Sequence, residues 1–191
     1  MLLAFRCALA SPRVTAAGIE AAEFPGLADR HDVLVGSMDR FGVSRAFMFC
    51  LDEPDRVPAF RAGNDRSLAF AERSEGRLIP FVRLDLGDEP VAEAGRCLDR
   101  GAGGIKLHPR AQRFLLNDER LEPVFALAAE RRVPILIHAG RGLPPIAADL
   151  HRLVDRHPEA QLILAHAGIA DLAELARHFA GRAGVWFDTS V

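Results

Sequence analysis

Three histidines stand at or near the ends of short apolar stretches, an arrangement that could support metal or proton-transfer chemistry. His108 lies in GIKLHP, His138 in PILIHAG and His166 in LILAHAG, and Asp188 lies in a fourth stretch, VWFDTS. Imidazole binds divalent metals and transfers protons near neutral pH, and a metal can lower the pKa of bound water to about 7. A lone histidine of this kind is more often a core residue. The repetition favours a shared site for His138 and His166, whereas His108 fits both roles.

Two basic residues lie in the same kind of stretch. Lys106 precedes His108 by two positions, and Arg83 precedes Asp85 by two positions in RLIPFVRLDL. A cation directed into the interior of the fold could hold a substrate anion. The alternative is a structural ion pair of Asp85 with Lys106 or with Arg83, and the sequence leaves both open.

Each of these residues belongs to or follows a predicted strand. Short apolar runs bounded by turn residues are typical of strands buried on both faces of a parallel sheet. We predict seven strands, at 1–11, 44–50, 77–86, 104–109, 134–140, 162–168 and 185–191. We predict six helices between them, at 32–41, 58–75, 89–99, 118–131, 146–156 and 170–180, with Asp171 able to cap the last. Such alternation indicates right-handed β–α–β units.

The periodicity of a strand places the candidate residues on one face. Side chains two positions apart share a face. This rule pairs Lys106 with His108, Leu136 with His138, Leu164 with His166, and Trp186 with Asp188. Functional groups of parallel α/β folds collect at the carboxyl ends of the strands. If these faces line a barrel, the imidazoles and Asp188 meet at its mouth.

The pattern predicts an α/β fold, an incomplete (β/α)8 TIM-barrel-like structure of about seven parallel strands with alternating helices. No strand is followed by GxGxxG or GxxxxGKS, so neither a dinucleotide site nor an NTP site is indicated. The GAGG at 101–104 precedes a strand, which is the position of a helix stop. Regular repeats with polar groups at nearly every strand end favour the barrel over a doubly wound sheet.

The composition predicts a single soluble domain over 1–191. The 191 residues are 49% hydrophobic and 26% charged, with a net charge of −2. The hydrophobic content is sufficient for a core, and the sequence has no basic stripe that would indicate a nucleic-acid partner. Cys7, Cys50 and Cys97 lack CxxC spacing and are expected to be thiols in a reducing cytoplasm. No apolar run approaches the ~20 residues that cross a bilayer. Arg6 interrupts the first apolar stretch, which we interpret as a strand rather than a signal peptide.

The motifs RLIPFVRLD, GAGGIKLHP, ERRVPILIHAG, LILAHAG and VWFDTS, in this order, resemble the second amidohydrolase-related group over about 32–191. These proteins are TIM-barrel metal-dependent hydrolases and also include decarboxylases of aromatic acids. The resemblance implies a divalent metal, most commonly zinc, held by an HxH pair on the first strand, a histidine on the fifth and an aspartate on the eighth. It places the fifth-strand ligand at His138. It places the sixth-strand histidine, which transfers a proton or polarises the substrate, at His166.

The sequence departs from the family pattern at both ends. Phe5 and Cys7 stand where the HxH histidines belong, and phenylalanine cannot bind a metal. The eighth strand and its aspartate do not follow the seventh predicted strand. We therefore expect a truncated or degenerate relative that binds zinc weakly or not at all. Open barrel edges would favour association between copies.

Three functions remain open. The first is metal-assisted hydrolysis of an amide or lactone, or non-oxidative decarboxylation, of a small carboxylic acid. In it His138 holds the metal, His166 transfers a proton with Asp188 nearby, and the substrate is bound by Lys106, His108 and Arg83. The second is a non-catalytic barrel that acts through association. The third is metal-independent hydrolysis by His166 and Asp188.

Overall fold

The sheet consists of six parallel strands that follow one another in chain order. The computed structural model describes residues 31–50 and 59–188. The strands are β1 (Ala46–Met48), β2 (Leu78–Arg83), β3 (Gly104–Leu107), β4 (Pro134–His138), β5 (Gln161–Ala165) and β6 (Val185–Phe187). Each pairs in parallel with the next, in the order β1-β2-β3-β4-β5-β6. A doubly wound sheet would reverse its order, so this half-barrel confirms the predicted incomplete TIM barrel. The predicted strand at 1–11 lies outside the described residues.

Helices alternate with the strands, as the sequence predicts. They are α1 (His31–Arg40), α2 (Arg61–Arg73), α3 (Pro90–Asp99), α4 (Pro109–Gln112), α5 (Glu122–Arg131), α6 (Ala147–Arg156) and α7 (Leu172–Phe179). The short helix α4 occupies a segment predicted as a loop and begins at Pro109, where the missing N–H of proline costs nothing. There are also two short 3-10 helices. Glu119–Leu121 forms the first turn of the helix predicted at 118–131, whereas His166–Gly168 replaces the end of the strand predicted at 162–168.

Among the helices that the structure describes, none is both long and apolar enough to cross a membrane.

The sheet buries apolar side chains on both faces. On the face covered by the helices, residues such as Ile105, Ile135 and Leu164 belong to the largest core cluster. On the opposite, concave face, Phe49, Phe81, Leu136 and Ala165 form a smaller cluster. Arg83 and Lys106 are in register with Leu136 of this cluster, and His138 is in register with Ala165. The candidate polar residues of these strands therefore lie beside apolar side chains of the concave face.

Asp171 caps a different helix from the one predicted. Its side chain makes no capping bond to α7, which it directly precedes. Instead, its Oδ2 accepts hydrogen bonds from the backbone N–H groups of Ile146 (3.1 Å) and Ala147 (3.0 Å), at the start of α6. The prediction is wrong because tertiary packing offers Asp171 unpaired N–H groups of a neighbouring helix, which local sequence does not reveal.

Candidate active site at the carboxyl ends of the strands

The strand register brings the candidate residues to one edge of the sheet. Arg83 is the register partner of Lys106, Lys106 that of Leu136, and His138 that of Ala165. His108 directly follows β3, so it lies beside His138 at the end of β4. The backbone N–H of Asp188 donates to the Leu164 carbonyl (2.9 Å), which extends the β5–β6 ladder to the same edge.

Three imidazole rings meet at this edge. The rings of His108 and His138 are stacked, with centroids 3.9 Å apart and planes 12° apart. The ring of His166 meets that of His138 edge-on, at 4.9 Å and 71°. We call these three residues the histidine cluster. The prediction placed them at a common mouth, and the structure brings them into contact.

His166 reaches the cluster by a route that strand alternation did not predict. Leu164 packs in the core on the helix-covered face, so the expected shared inner face of Leu164 and His166 is wrong. Ala165 occupies the concave face instead. His166 has a left-handed backbone conformation (φ 58°), which is uncommon for a residue with a side chain. This conformation turns its ring back towards His138, and strained backbone of this kind is frequent at functional sites.

Gly140 makes room for two of the rings. A Cβ atom at this position would lie 2.7 Å from Cε1 and 2.9 Å from Nε2 of His138, and 3.0 Å from Cδ2 of His166. These distances are too short for carbon, so a larger residue would displace the rings. The glycine of PILIHAG is thus part of the site, which sequence analysis did not recognise.

Hydrogen bonds fix the orientation of His108. Its Nδ1 accepts from the backbone N–H of Ala111 (3.2 Å), which assigns the proton of the neutral ring to Nε2. Its own backbone N–H donates to Oε1 of Gln112 (2.6 Å), and Nε2 of Gln112 donates to the Leu84 carbonyl. Gln112, 5% exposed, therefore ties the ends of β2 and β3 together. Sequence analysis missed it; the signal was Pro109, which predicts a helical turn.

Two buried cations lie on the concave face beneath the histidine cluster. Arg83 is 1% exposed and Lys106 is 4% exposed. The Arg83 guanidinium lies 5.1 Å from the ring centroid of Phe60, and Lys106 Nζ lies 5.3 Å from that of Phe49, distances suited to cation–π attraction. Asn64 holds the backbone of Arg83 by bonds to its N–H and its carbonyl, both 2.9 Å long.

Burial and these cations keep two rings of the cluster neutral. Burial, His138, Lys106 and Arg83 lower the pKa of His108 to about 2. Burial, Lys106, His166, Arg110 and Arg83 lower the pKa of His138 to about 3. A neutral His108 presents an Nε2–H donor, while unprotonated nitrogen on His138 can accept a hydrogen bond or bind a metal. The edge therefore combines neutral imidazoles with fixed positive charge, a combination suited to an anionic ligand.

The described residues provide one clear metal donor rather than a complete set. Nε2 of His138 is buried without a hydrogen-bond partner, as the nitrogen of a metal ligand would be in the absence of its metal. Across 31–50 and 59–188, however, no group of three or more His, Cys, Asp or Glu side chains is placed to hold an ion. The predicted first-strand positions, Phe5 and Cys7, lie outside the described residues. On their own, the described residues do not fit a tightly bound divalent metal.

Comparison with known proteins agrees with the fold and with the family resemblance of the sequence. A family model described as Amidohydrolase matches residues 16–191. No protein with a curated description matches the sequence.

Solved structures share the architecture at low identity. An uncharacterized TIM-barrel protein from Bordetella bronchiseptica is 18% identical, with a TM-score of 0.67 over 87% of this chain and 62% of its own. A 4-oxalomesaconate hydratase from Rhodopseudomonas palustris is 18% identical, with a TM-score of 0.67 over 94% and 64%. A 5-carboxyvanillate decarboxylase from Novosphingobium aromaticivorans, solved with manganese, is 21% identical, with a TM-score of 0.60 over 79% and 52%. This chain thus spans less than two thirds of these three proteins.

Proposed function

The chain belongs to the amidohydrolase family, and from this premise we propose that it converts a small carboxylic acid, by hydrolysis or non-oxidative decarboxylation, at the histidine cluster. The observation that carries the proposal is the pair of buried cations, Arg83 and Lys106, directly beneath neutral His108 and His138. The names of two structural neighbours agree with this substrate class, since they act on 4-oxalomesaconate and 5-carboxyvanillate.

The cations would bind the carboxylate of the substrate. Their charges already act at the position of the cluster, because they contribute to the lowered pKa of both His108 and His138. The same positive charges that disfavour a protonated imidazole would attract a carboxylate brought to this edge. In a site shielded from water such attraction is stronger than in solution, and a guanidinium can bind a carboxylate through two parallel hydrogen bonds.

The histidines would act on the substrate from above. His108 donates from Nε2 to a carbonyl or carboxylate oxygen, since its Nδ1 is occupied by Ala111. His166 transfers the proton that either reaction requires at the reacting atom, and Asp188 positions the substrate or assists that transfer. His138 offers Nε2 as the nitrogen through which a divalent metal would be held.

Two forms of the chemistry remain, one assisted by a metal and one independent of it. Family membership supports a metal-assisted reaction, because members of this superfamily bind divalent metals and one neighbour holds manganese. The described residues supply a single clear donor, so we propose weak metal binding and retain a metal-independent reaction by His166 and Asp188. Activity that survives a chelator would select the metal-independent form. Zinc bound tightly and stoichiometrically, and lost in His138→Ala, would contradict weak binding.

The test is turnover by the full 191-residue chain. We would follow loss of 5-carboxyvanillate and 2,6-dihydroxybenzoate, and opening of a dicarboxylic lactone, with chelator and with added manganese or zinc.

Lys106→Met should reduce kcat/KM by about 10²–10³-fold, as removal of one preorganised charge does. His166→Gln should reduce kcat by about 10²–10⁴-fold. His178→Gln, which changes an exposed histidine of α7, is the control and should leave turnover unchanged. Equal turnover in all variants would place the reaction elsewhere, and no turnover on any substrate would favour the non-catalytic alternative.

The remaining assignments are proposals of the same kind. We propose one domain over residues 1–191, a cytoplasmic location and association between copies of the chain. The thiol of Cys97 is buried and forms no disulfide, which suits a reducing compartment. Limited proteolysis that released a stable fragment would contradict the single domain.

A further inference from the structure

A cavity of about 450 Å³ lies beside the histidine cluster, between α4 with the segment that follows it and the loop that joins β4 to α6. We call it the α4 cavity. Arg110, Arg113 and Leu115 line it on one side, and Leu143 and Pro144 line it on the other. Its volume falls in the range of small-molecule sites. Both walls follow strands that end in the cluster, so the cavity and the cluster share the same edge of the sheet.

Arg110 connects the cavity to the cluster. Its guanidinium lies against Gly142, where a Cβ atom would be 3.2 Å from its Cζ and Nε, and its Nη1 donates to the Arg141 carbonyl (3.3 Å). Its charge is among those that lower the pKa of His138. Arg110 is therefore held between the α4 cavity and the histidine cluster, and its charge acts on both.

The lining of the cavity carries excess positive charge. Within 31–50 and 59–188, neither Arg110 nor Arg113 forms an ion pair. The one carboxylate in the lining, Asp118, is already bound by Arg120, whose Nε and Nη2 donate to it at 2.9 and 2.5 Å. Two arginines thus line the cavity without a described carboxylate to balance their charge. Planar guanidinium groups bind carboxylate and phosphate oxygens in pairs of hydrogen bonds.

Most of the rest of the lining is apolar, and it also includes the exposed polar side chain of Asn117. Leu115 is 53% exposed, Leu143 is half-buried and Pro144 is exposed. A leucine so exposed at the edge of a cavity gains from contact with an apolar ligand. Two arginines beside apolar side chains on both walls suit a ligand with an anionic group on a compact apolar body.

We propose that the α4 cavity is a binding site for a small carboxylate with a compact apolar or aromatic body, whose anionic group is bound by Arg110 and Arg113. The site is separate from the carboxylate position at Arg83 and Lys106, and it does not depend on the proposed reaction. Inorganic phosphate shares the charge of the ligand but lacks its apolar body, so it should bind more weakly.

The test is a direct titration of the full chain with 4-fluorobenzoate, followed by fluorine NMR, with 4-fluorobenzamide and inorganic phosphate as parallel ligands. We expect saturable binding of the benzoate in the millimolar range, weaker binding of phosphate and none of the amide. Arg113→Gln should weaken benzoate binding by about fivefold or more, as loss of a charge-assisted hydrogen bond does. Leu115→Ser should weaken the binding of benzoate but not that of phosphate.

Matched variants separate this site from the cations beneath the cluster. Arg132→Gln is the control, because Arg132 is also an exposed arginine with a left-handed backbone after a helix (φ 53°, against 59° for Arg113), at the opposite end of the sheet. It should bind benzoate like the parent chain, and Lys106→Met should keep the benzoate binding that Arg113→Gln weakens. Benzoate binding lost in Lys106→Met but retained in Arg113→Gln would overturn the proposal and support the proposed function instead. Equal binding of amide and benzoate, or absence of binding to the parent chain, would also overturn it.

Discussion

Gly140 is packed closely against the rings of His138 and His166. Gly140→Ala would place carbon 2.7 Å from Cε1 of His138, so one ring or the backbone must shift. Overpacking of this kind costs about 1–3 kcal/mol. We expect Gly140→Ala to lower the free energy of unfolding by about that amount and to reduce turnover or ligand binding at the cluster, measured by urea denaturation and by the assays above.

Gly36→Ala is the matched control for this change. Gly36 lies within α1, and a Cβ atom there would meet nothing within 4 Å. Because alanine is a better helix former than glycine by about 1 kcal/mol, this variant should be as stable as the parent or more so. If both variants had the same urea midpoint as the parent chain, the steric role of Gly140 would be refuted.

The residues of the site were predictable from the sequence only where their signal is local. Histidine at the end of an apolar run identified His108 and His138, because the end of a buried strand is also the place where parallel folds expose functional groups. The part played by Gln112 and Gly140 depends on contacts between neighbouring segments. The path of His166 depends on a positive φ that strand periodicity does not contain. Sequence patterns thus located the cluster but not the contacts that orient it.

Among the elements, α2, β2 and α3 are joined by a buried polar network. Nδ2 of Asn64 donates to Glu93 (2.9 Å), Nε and Nη2 of Arg96 donate to the two oxygens of Glu93 (2.8 and 2.7 Å), and the Cys97 thiol donates to it (3.4 Å). Asn64 also bonds to the backbone of Arg83. Burial alone would raise the pKa of Glu93, but these hydrogen bonds outweigh it and hold the pKa below the usual 4.5. Glu93 therefore couples two helices to the strand that carries a cation of the site.

This network predicts a loss of stability in acid. Because the folded pKa of Glu93 is the lower one, the unfolded chain binds more protons as the pH falls below about 4.5. The contribution of Glu93 is complete above that pH and is lost as the pH falls through the folded pKa. Glu93→Gln should lower the free energy of unfolding by about 2–3 kcal/mol at pH 7, and the difference from the parent chain should narrow below pH 4.5.

Urea denaturation at pH 7 and in mild acid measures both quantities. Glu130→Gln, which changes an exposed glutamate of α5, is the control and should change the free energy of unfolding little at either pH. A difference between Glu93→Gln and the parent chain that stayed constant from neutral pH into acid would show that the carboxylate charge is not the source of the stability.

The bond from Asp171 to the start of α6 gives a second prediction at this scale. Asp171→Ala leaves the N–H groups of Ile146 and Ala147 without their acceptor, and loss of an N-cap costs about 0.5–2 kcal/mol. Asp171→Asn keeps an acceptor oxygen and should lose less. The free energy of unfolding of the two variants checks this, and equal losses would indicate that charge rather than hydrogen bonding matters.

The elements themselves were largely predictable, whereas their ends and their partners were not. Apolar periodicity identified all six described strands and the six longer helices, because each buries an apolar face and the spacing of its apolar residues can be seen in the sequence. The short helix α4 was missed because four residues cannot show helical periodicity. Asp171 was assigned to the wrong helix because its partners, Ile146 and Ala147, lie about 25 positions away in the sequence.

On the scale of the whole molecule, the described part of the sheet is buried at its centre and more exposed at β6. The middle residues of β4 are buried, whereas Val185 and Phe187 of β6 are only half-buried and Trp186 is 46% exposed. Within the described residues β6 pairs with β5 alone. A strand with an unpaired edge and an exposed large aromatic residue is a site at which chains associate.

We therefore expect reversible self-association through β6. Sedimentation velocity over a concentration series should show a shift from monomer to dimer, and Trp186→Lys should suppress it, because an edge lysine disfavours pairing between strands. Phe41→Lys is the matched control, since Phe41 is 57% exposed just beyond α1, on the β1 side of the sheet and away from β6, and its variant should associate like the parent chain. If Phe41→Lys suppressed association and Trp186→Lys did not, the contact would lie on the α1 side. A parent chain that sedimented as a monomer at every concentration would refute the role of the open edge altogether.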